Sequence, residues 1–242
     1  VHRMGTNVDL LKTEPYKSYF KKAFPEYGSI ETLANKKVIE LIGLAIAAYE
    51  RTLISDLAPY QQWLKGSDNA LTENQKEGMR LFFDKAQCFT CHNGPALSSM
   101  EFYVLGFGDL RGPEILGENN LAANLGRGDF TKKEQDNYKF KVPQLYNLQD
   151  AKFYGHGATL TSIEQVVQYF NKAESENDNV PNDKLAKEFK PLNLSDVEVE
   201  QLVDFLTNGL YDSELQRYDP TFLPSGNCFP DNDPISKKQL CE

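Results

Sequence analysis

The residues of this chain that could do chemistry are concentrated in one five-residue segment. The 242 residues include only 4 Cys and 3 His, and Cys88, Cys91 and His92 fall together in the sequence Cys-Phe-Thr-Cys-His. This is the attachment signature of haem c, in which two thiols add across the porphyrin vinyl groups and the adjacent His ligates the iron. At these residue frequencies, chance produces the motif in about one chain in a thousand. The motif predicts one covalently bound haem c, with His92 as the metal ligand.

This segment has three alternative uses. A zinc site needs further ligands, and the remaining Cys and His residues lie far away in the sequence. A redox Cys-x-x-Cys of the thioredoxin type expects a βαβ context, of which the sequence has no sign. A structural disulfide within the motif is a third alternative.

The surrounding pattern predicts a mainly α fold with long loops. Apolar residues recur at helical spacing from Ser29 to about Ile54, behind Ser29 as a helix cap. Three further helices are expected behind capping sequences, over Thr72 to Phe83, Ser162 to Phe170 and Ser195 to about Thr207. The stretch 93–142 has seven glycines and no hydrophobic period, which indicates loops that pack against something other than a side-chain core.

Charge and hydropathy exclude two classes of function. With 26 Lys and Arg against 35 Asp and Glu, the formal net charge is −9, and no basic cluster suits a phosphate backbone. The longest strongly apolar run, Leu41 to Tyr49, is far shorter than the roughly 20 residues of a membrane-spanning helix. We therefore expect no nucleic-acid partner and no membrane span.

Beyond the motif, the sequence resembles the bacterial di-haem cytochrome c peroxidase and MauG family over most of residues 4–207. The segments that carry the resemblance are Ala45 to Leu53, Leu71 to Phe82 leading into Cys88-x-x-Cys-His-Asn-Gly, Gly126-Arg127 with Thr131, Phe140 to Asn147, Phe153 to Gly157, and Glu164 to Phe170. The resemblance implies a cytochrome c-like haem domain over residues 66–242, with an irregular tail. Residues 1–65 then correspond to the closing helices of a partial N-terminal haem domain, and the first haem would attach upstream of Val1.

The same resemblance implies which residues surround the haem. Arg127 would meet a haem propionate, or it is a solvated surface charge. Pro143 and Tyr146 lie in the family's Val-Pro-x-Leu-Arg-Asn segment, where Tyr146 replaces the usual Arg. His156 is expected in the haem pocket, either as a hydrogen-bonded residue or as an iron ligand.

The sixth ligand of the iron stays open at this stage. In the family it is commonly Met or Tyr, fourteen residues after the position of His156, where this chain has Phe170. Phe170 has no donor atom, and its neighbour Tyr169 is rotated by about 100° on a helix. The alternatives are Tyr169, an open or water-bound iron, or another ligand. Met100 is one such other ligand, but it follows His92 too closely in the sequence to reach the opposite face of the haem easily.

Other departures and additions concern the ends of the chain. Arg3 stands where the family has an acid–base Glu, and Arg cannot serve that chemistry in a peroxide mechanism. Cys228 and Cys241 are expected to form a disulfide in an oxidising compartment. Because haem c attachment also occurs outside the cytoplasm, we expect a periplasmic or exported protein.

Trp63 is expected to pack in the core or between domains. The resemblance also implies a calcium ion, whose position it does not give.

Three functions follow, the first of which is favoured. This haem would transfer electrons to a peroxide-handling haem in a peroxidase-like or MauG-like oxidoreductase. Its partners would be a small cytochrome or cupredoxin as electron donor and an N-terminal haem fragment of the same polypeptide. Alternatively the chain is a non-enzymatic electron-transfer cytochrome c, or an interaction module whose acidic surface docks a basic partner.

Overall fold

The computed structural model describes residues 8–109 and 124–215, and these fall into two units, each with its own internal contacts. The first unit contains residues 8–54 and Leu215, and the second contains residues 55–109 and 124–214. The division lies between Ile54 and Ser55, earlier than the boundary after residue 65 that the sequence suggested. The reason is that Tyr60, which lies before that boundary, packs against Phe205 in the core of the second unit, with 5.5 Å between the ring centroids.

The described residues are mainly helical, as the sequence predicts. The helices are α1 (Tyr16–Ala23), α2 (Asn35–Glu50), α3 (Pro59–Leu64), α4 (Glu73–Phe83), α5 (Arg127–Thr131), α6 (Ile163–Lys172) and α7 (Asp196–Asp204). Two short strands, β1 (Phe102–Tyr103) and β2 (Phe140–Lys141), pair antiparallel. Within residues 8–109 and 124–215, no helix has both the length and the apolar composition to cross a membrane.

The prediction of one helix from Ser29 to Ile54 was wrong at both ends. The Ser29 hydroxyl accepts the Glu31 N–H, but it caps only a single 3₁₀ turn, Ile30–Thr32. Leu33 and Ala34 then adopt extended backbone, and α2 begins at Asn35 and ends at Glu50. This break allows Ile30 to reach a small buried cluster with Val8, Val38 and Ile42, the core of the first unit.

The core of the second unit forms between α4 and α7. Phe82 of α4 and Phe205, which follows α7, are fully buried and contact each other at 5.7 Å between ring centroids. The capping boxes predicted at Thr72 and Ser195 are confirmed, since each side chain accepts the N–H three residues on and the Gln75 or Glu198 side chain reciprocates. A π-helical turn, Phe205–Gly209, continues α7 and ends it.

Helix α6 also starts where the sequence predicts. The Ser162 hydroxyl accepts the Gln165 N–H at 3.1 Å. The Gln165 side chain does not close a capping box, because its Oε1 accepts the Thr161 N–H at 2.7 Å instead. The helix runs to Lys172, two residues beyond the predicted end.

The glycine-rich stretch is irregular where it is described. Its regular structure in residues 93–109 and 124–142 is the short β1–β2 ladder, the bridge between Gly126 and Lys139, the helix α5 and the 3₁₀ turn Glu134–Asp136. Several residues named from the sequence lie outside the described residues: Arg3, Gly112, Gly117, Cys228 and Cys241.

Candidate haem-attachment site

The Cys-x-x-Cys-His segment forms one tight turn directly after α4. Gln87 has a left-handed backbone (φ 51°), which ends the approach from α4 and starts the 3₁₀ turn Cys88–Thr90. The N–H groups of Cys91 and His92 both donate to the Cys88 carbonyl, at 3.2 and 2.8 Å. Hydrogen bonding inside the motif therefore presents two thiols and one imidazole on a single turn, and both cysteines are unpaired.

The His92 ring is held for ligation through one nitrogen. Its Nδ1 lies 2.9 Å from the Leu97 carbonyl oxygen, so Nδ1–H donates there, and in the neutral ring Nε2 carries the lone pair. Metal-ligating histidines are commonly oriented by such a bond from the other ring nitrogen. Burial lowers the pKa of His92, although hydrogen bonds with the backbone of Leu97 and Pro143 oppose the effect. The neutral ring, which is the form that binds a metal, is therefore favoured at neutral pH.

The state of the Cys88 thiol argues against the redox and zinc alternatives. Burial raises the pKa of Cys88 to about 12, so this sulfur stays a thiol at neutral pH. Redox-active and zinc-bound cysteines need the thiolate, which an electropositive site stabilises. In the part of the chain that is described, no group of three His, Cys, Asp or Glu side chains could hold a metal ion.

Pro143 lies beside the motif because two long-range bonds fix its segment. The Ser98 hydroxyl donates to the Val142 carbonyl at 2.7 Å, and the Val142 N–H donates to the Glu101 carbonyl at 2.9 Å. These bonds extend the β1–β2 ladder toward the loop that carries Leu97. The backbone of Pro143 is a hydrogen-bond partner of the His92 ring, and a role of Pro143 in haem binding stays a prediction.

Arg127 lies at the start of α5, on the same ladder. Its guanidinium stacks over the Phe102 ring at 4.1 Å, and its Nε lies 3.7 Å from the Asp136 carboxylate. The pKa of Asp136 lies below its usual range. The main cause is a hydrogen bond from the Thr131 hydroxyl, and Lys139 and the charge of Arg127 contribute less. The Arg127 side chain is 39% exposed and has a carboxylate partner within the protein, so its contact with a haem propionate stays a prediction.

Tyr146 is a buried core residue. It belongs to the cluster formed by α3, α4 and α7, against which Cys88 also packs. Burial raises its pKa to about 12, and Gln61 is a hydrogen-bond partner of its hydroxyl. The structure therefore gives Tyr146 a packing role close to the motif, where the family has a charged residue.

His156 is half-buried, and its buried Nε2 faces an acid that sequence reasoning missed. Its Nε2 lies 3.9 Å from Asp109 Oδ1, and neither buried atom has a hydrogen-bond partner. The ring stacks on Phe140 with 3.8 Å between centroids. Burial lowers the pKa of His156, and the Asp109 charge opposes this. Nothing in the sequence marks Asp109, because it lies in an irregular loop 47 positions before His156.

Tyr169 and Phe170 lie together in an aromatic cluster on α6. The Tyr169 hydroxyl donates to the Leu105 carbonyl at 2.6 Å, and its ring stacks on Phe107 with 4.6 Å between centroids. Phe170 meets Phe107 and Phe189 edge-on, at 6.0 and 5.9 Å. Tyr169 is buried, with 7% exposure, whereas Phe170 is half-buried. Burial strongly raises the pKa of Tyr169, so it is a neutral phenol.

A mainly helical domain whose first long loop opens with Cys-x-x-Cys-His and a backbone-oriented histidine defines the class of c-type cytochrome domains. The family model for "Di-haem cytochrome c peroxidase" matches residues 3–69. The chain is a relative of the bacterial di-haem cytochrome c peroxidases and MauG.

Individual relatives agree with this family. Cytochrome-c peroxidase IdrP1 of Pseudomonas sp. (strain SCT) is 31% identical over 198 residues, covering 73% of this chain and 51% of that protein. Methylamine utilization protein MauG of Methylorubrum extorquens is 31% identical and covers 84% of this chain and 52% of its own length. A crystal structure of a MauG-like protein associated with microbial copper homeostasis shares the fold, with a TM-score of 0.61, 24% identity, and coverage of 83% and 59%. The chain spans about half the length of the curated relatives it matches.

Proposed function

We propose that this chain binds one haem c through Cys88 and Cys91, with His92 as an iron ligand, and serves electron transfer. The observation that carries the proposal is the single turn that presents both thiols beside an imidazole whose Nδ1 is bound to the Leu97 carbonyl. Each thiol S–H adds across one vinyl C=C, so two thioether bonds form and nothing leaves. When bound, the haem supplies one-electron redox chemistry.

The protein residues around the motif have distinct tasks in this proposal. The Leu97 carbonyl fixes the tautomer and direction of the His92 ring, and burial keeps that ring neutral. The ladder of Phe102 and Phe140 supplies flat apolar walls, with Arg127 on one ring and His156 on the other. Arg127, whose guanidinium lies over the Phe102 ring, is the cation that we propose meets a haem propionate.

The names of the relatives support a wider role for the whole protein. Because they are cytochrome-c peroxidases and MauG, we propose that the complete polypeptide is a peroxidase-like oxidoreductase. In it, this haem would transfer electrons to a peroxide-handling haem on an N-terminal segment. A small cytochrome or cupredoxin would be the electron donor, and the location would be periplasmic or exported, where haem c is attached.

The test separates haem attachment from peroxide chemistry. The polypeptide with both haem segments is expressed with haem c maturation, and covalent haem is counted by intact mass. Cys88→Ser with Cys91→Ser should remove this haem and reduce peroxide-dependent oxidation of a reduced donor to background. Thr90→Ser, a change at the variable position of the motif, is the matched control and should retain both. Peroxide reduction that is unaffected by loss of this haem would contradict the electron-transfer role.

A non-enzymatic electron carrier is the second candidate, and the single Cys-x-x-Cys-His motif in 242 residues favours it. It predicts that the reduced holoprotein exchanges electrons with a donor protein but is not oxidised faster by peroxide. Stopped-flow mixing of reduced protein with hydrogen peroxide distinguishes the two candidates.

A further inference from the structure

The segment that follows the haem motif folds back over it. Leu97 and Met100 both have left-handed backbone, with φ of 48° and 60°, which is uncommon for residues other than glycine. Between them, the Ser99 N–H donates to the Cys91 carbonyl at 2.9 Å. The Leu97 carbonyl accepts the hydrogen bond from the His92 ring. One short return segment therefore fixes two neighbouring residues of the motif.

Tyr103 extends these contacts to the sulfur of Cys91. It lies on β1, where it pairs with Phe140 of β2, and it is half-buried. Its hydroxyl donates a hydrogen bond to the Cys91 side chain. Burial is the main cause that raises the pKa of Tyr103, and Cys91 adds to the effect, so the hydroxyl keeps its proton at neutral pH. The β1–β2 ladder thus holds a phenol O–H against one sulfur of the motif.

The two cysteine sulfurs of the motif have different surroundings. The Cys88 Sγ lies 3.8 Å from the Ala86 carbonyl oxygen, to which its S–H donates, and it packs against the core. The Cys91 Sγ instead accepts hydrogen bonds, from the Thr90 hydroxyl at 3.9 Å and from the Tyr103 hydroxyl. A sulfur that accepts hydrogen bonds can still give its own S–H proton to an incoming vinyl carbon, whereas Cys88 must first leave the Ala86 carbonyl.

We propose that Tyr103 is a positioning residue for the thioether bond at Cys91, and that Cys91 reacts with a haem vinyl group before Cys88 does. In this step the Cys91 sulfur bonds to one vinyl carbon and the S–H proton passes to the other, so nothing leaves and no electron is transferred. The Tyr103 hydroxyl fixes the direction of the sulfur, which raises the fraction of productive encounters. This role rests on the proposed haem attachment, which by itself gives Tyr103 no part and the two cysteines no order.

The experiment uses the full chain as apoprotein, mixed with ferrous haem under anaerobic, reducing conditions, and intact mass follows the covalent adduct. Cys88→Ser leaves Cys91 as the thiol of the motif, and Cys91→Ser leaves Cys88. Tyr103→Phe should slow attachment at least about threefold in the Cys88→Ser chain and leave it unchanged in the Cys91→Ser chain. Tyr19→Phe, at an exposed tyrosine of the first unit, is the matched control and should change neither rate.

The paired backgrounds separate positioning from general support of the turn. If Tyr103→Phe slowed attachment equally in both chains, or did not slow it in the Cys88→Ser chain, the positioning role would be wrong while haem attachment stood. The chain with both Cys88→Ser and Cys91→Ser gives the background from the other cysteines. Adduct no higher than this background in either single variant would overturn the proposed haem attachment together with the role of Tyr103.

A second measurement needs no substitution and decides the matter if Tyr103→Phe does not fold. The reaction of the wild-type chain with ferrous haem is stopped early, the remaining thiols are capped with iodoacetamide, and peptide masses locate haem and cap. We expect chains with a single thioether to have the haem on Cys91 and the cap on Cys88. Single-thioether chains with the haem mainly on Cys88, or equally on both cysteines, would refute the proposal.

Discussion

Asp212 is a buried carboxylate that joins two distant segments of the second unit. Its Oδ2 accepts the N–H groups of Asp56 and Leu57 at 2.9 and 3.0 Å and the Ser55 hydroxyl at 3.1 Å. Its backbone carbonyl accepts the Asn147 side-chain N–H at 2.9 Å. One carboxylate therefore holds the segment before α3 against the residues that follow α7. Its loss should lower the stability of the whole second unit.

The pH dependence of this interaction has a definite sign. Burial alone would raise the pKa of Asp212, but hydrogen bonds from Leu57, Asp56, Glu214 and Ser55 together outweigh it and hold the pKa below its usual range. A group whose pKa is lower in the folded state stabilises that state above the unfolded pKa, about 3.9 for Asp. The contribution is lost as the pH falls through the lower, folded pKa.

Asp212→Asn should therefore destabilise the protein at neutral pH by at least about 2 kcal/mol, since its NH₂ group cannot accept the bonds that the carboxylate accepts. Urea unfolding at pH 7 and at successively lower pH would measure this difference, which should shrink toward acid pH. Asp178→Asn changes an exposed carboxylate and is the matched control, with an expected effect within about 0.5 kcal/mol. If Asp212→Asn lowered the free energy of unfolding equally at all pH values, the stabilisation would not come from the ionised carboxylate.

Residue roles were predictable only where chemistry requires neighbouring positions. Two thioether bonds and an axial ligand on one porphyrin demand a short fixed spacing, so Cys88, Cys91 and His92 could be identified from the sequence. The Leu97 carbonyl that orients His92 and the Asp109 carboxylate that faces His156 could not. A backbone oxygen carries no sequence signal, and the Asp109–His156 approach depends on how two irregular loops fold against each other.

At the scale of elements, the packing of α4 on α7 places the haem motif. The contact is close because Gly78 has no side chain. A Cβ at this position would lie 2.7 Å from the Gln201 carbonyl carbon and 2.8 Å from the Phe205 Cβ, inside van der Waals contact with α7 and the turn after it. Backbone atoms of a packed helix cannot move aside cheaply, so the glycine sets the distance between the two helices.

Gly78→Ala should destabilise the second unit by about 1–3 kcal/mol through overpacking, and it should lower the yield of covalently bound haem. Gly43→Ala on α2 is the matched control, because a Cβ there meets nothing within 4 Å and alanine favours the helix by up to about 1 kcal/mol. Urea unfolding and the ratio of haem absorbance to protein would measure both effects. Full stability and full haem occupancy in Gly78→Ala would contradict the close approach.

The start of a helix could be predicted where the two residues of a capping box lie close together in the sequence. Whether a helix continues without a break could not be predicted. Thr72 and Ser195 cap their helices as expected, because the capping box involves only four consecutive residues. Ser29 caps a single turn, because burial of Ile30 against Val8 and Val38 favours a break before α2. Helical periodicity continues across that break, so the break depends on tertiary contacts that the pattern does not contain.

At the scale of the whole molecule, charge determines which partners can approach. The formal net charge of −9 comes from 35 acidic and 26 basic residues spread along the chain, so the field at the surface is on balance negative. Such a field speeds the approach of positively charged proteins and slows that of anions, and salt screens both effects. This property bears on the electron donor that we propose, a small cytochrome or cupredoxin.

We therefore predict that a lysine-rich small cytochrome c reduces the haem of this chain faster at low salt than at high salt. Between about 0.01 and 0.15 M ionic strength the second-order rate constant should fall by about tenfold, because the Debye length shortens from about 30 to about 8 Å. Stopped-flow absorbance of the two haems measures the rate. A neutral hydroquinone is the control, and its rate should be nearly independent of salt. If the cytochrome rate is equally insensitive, or rises with salt, the negative surface does not guide the donor and a basic donor is excluded.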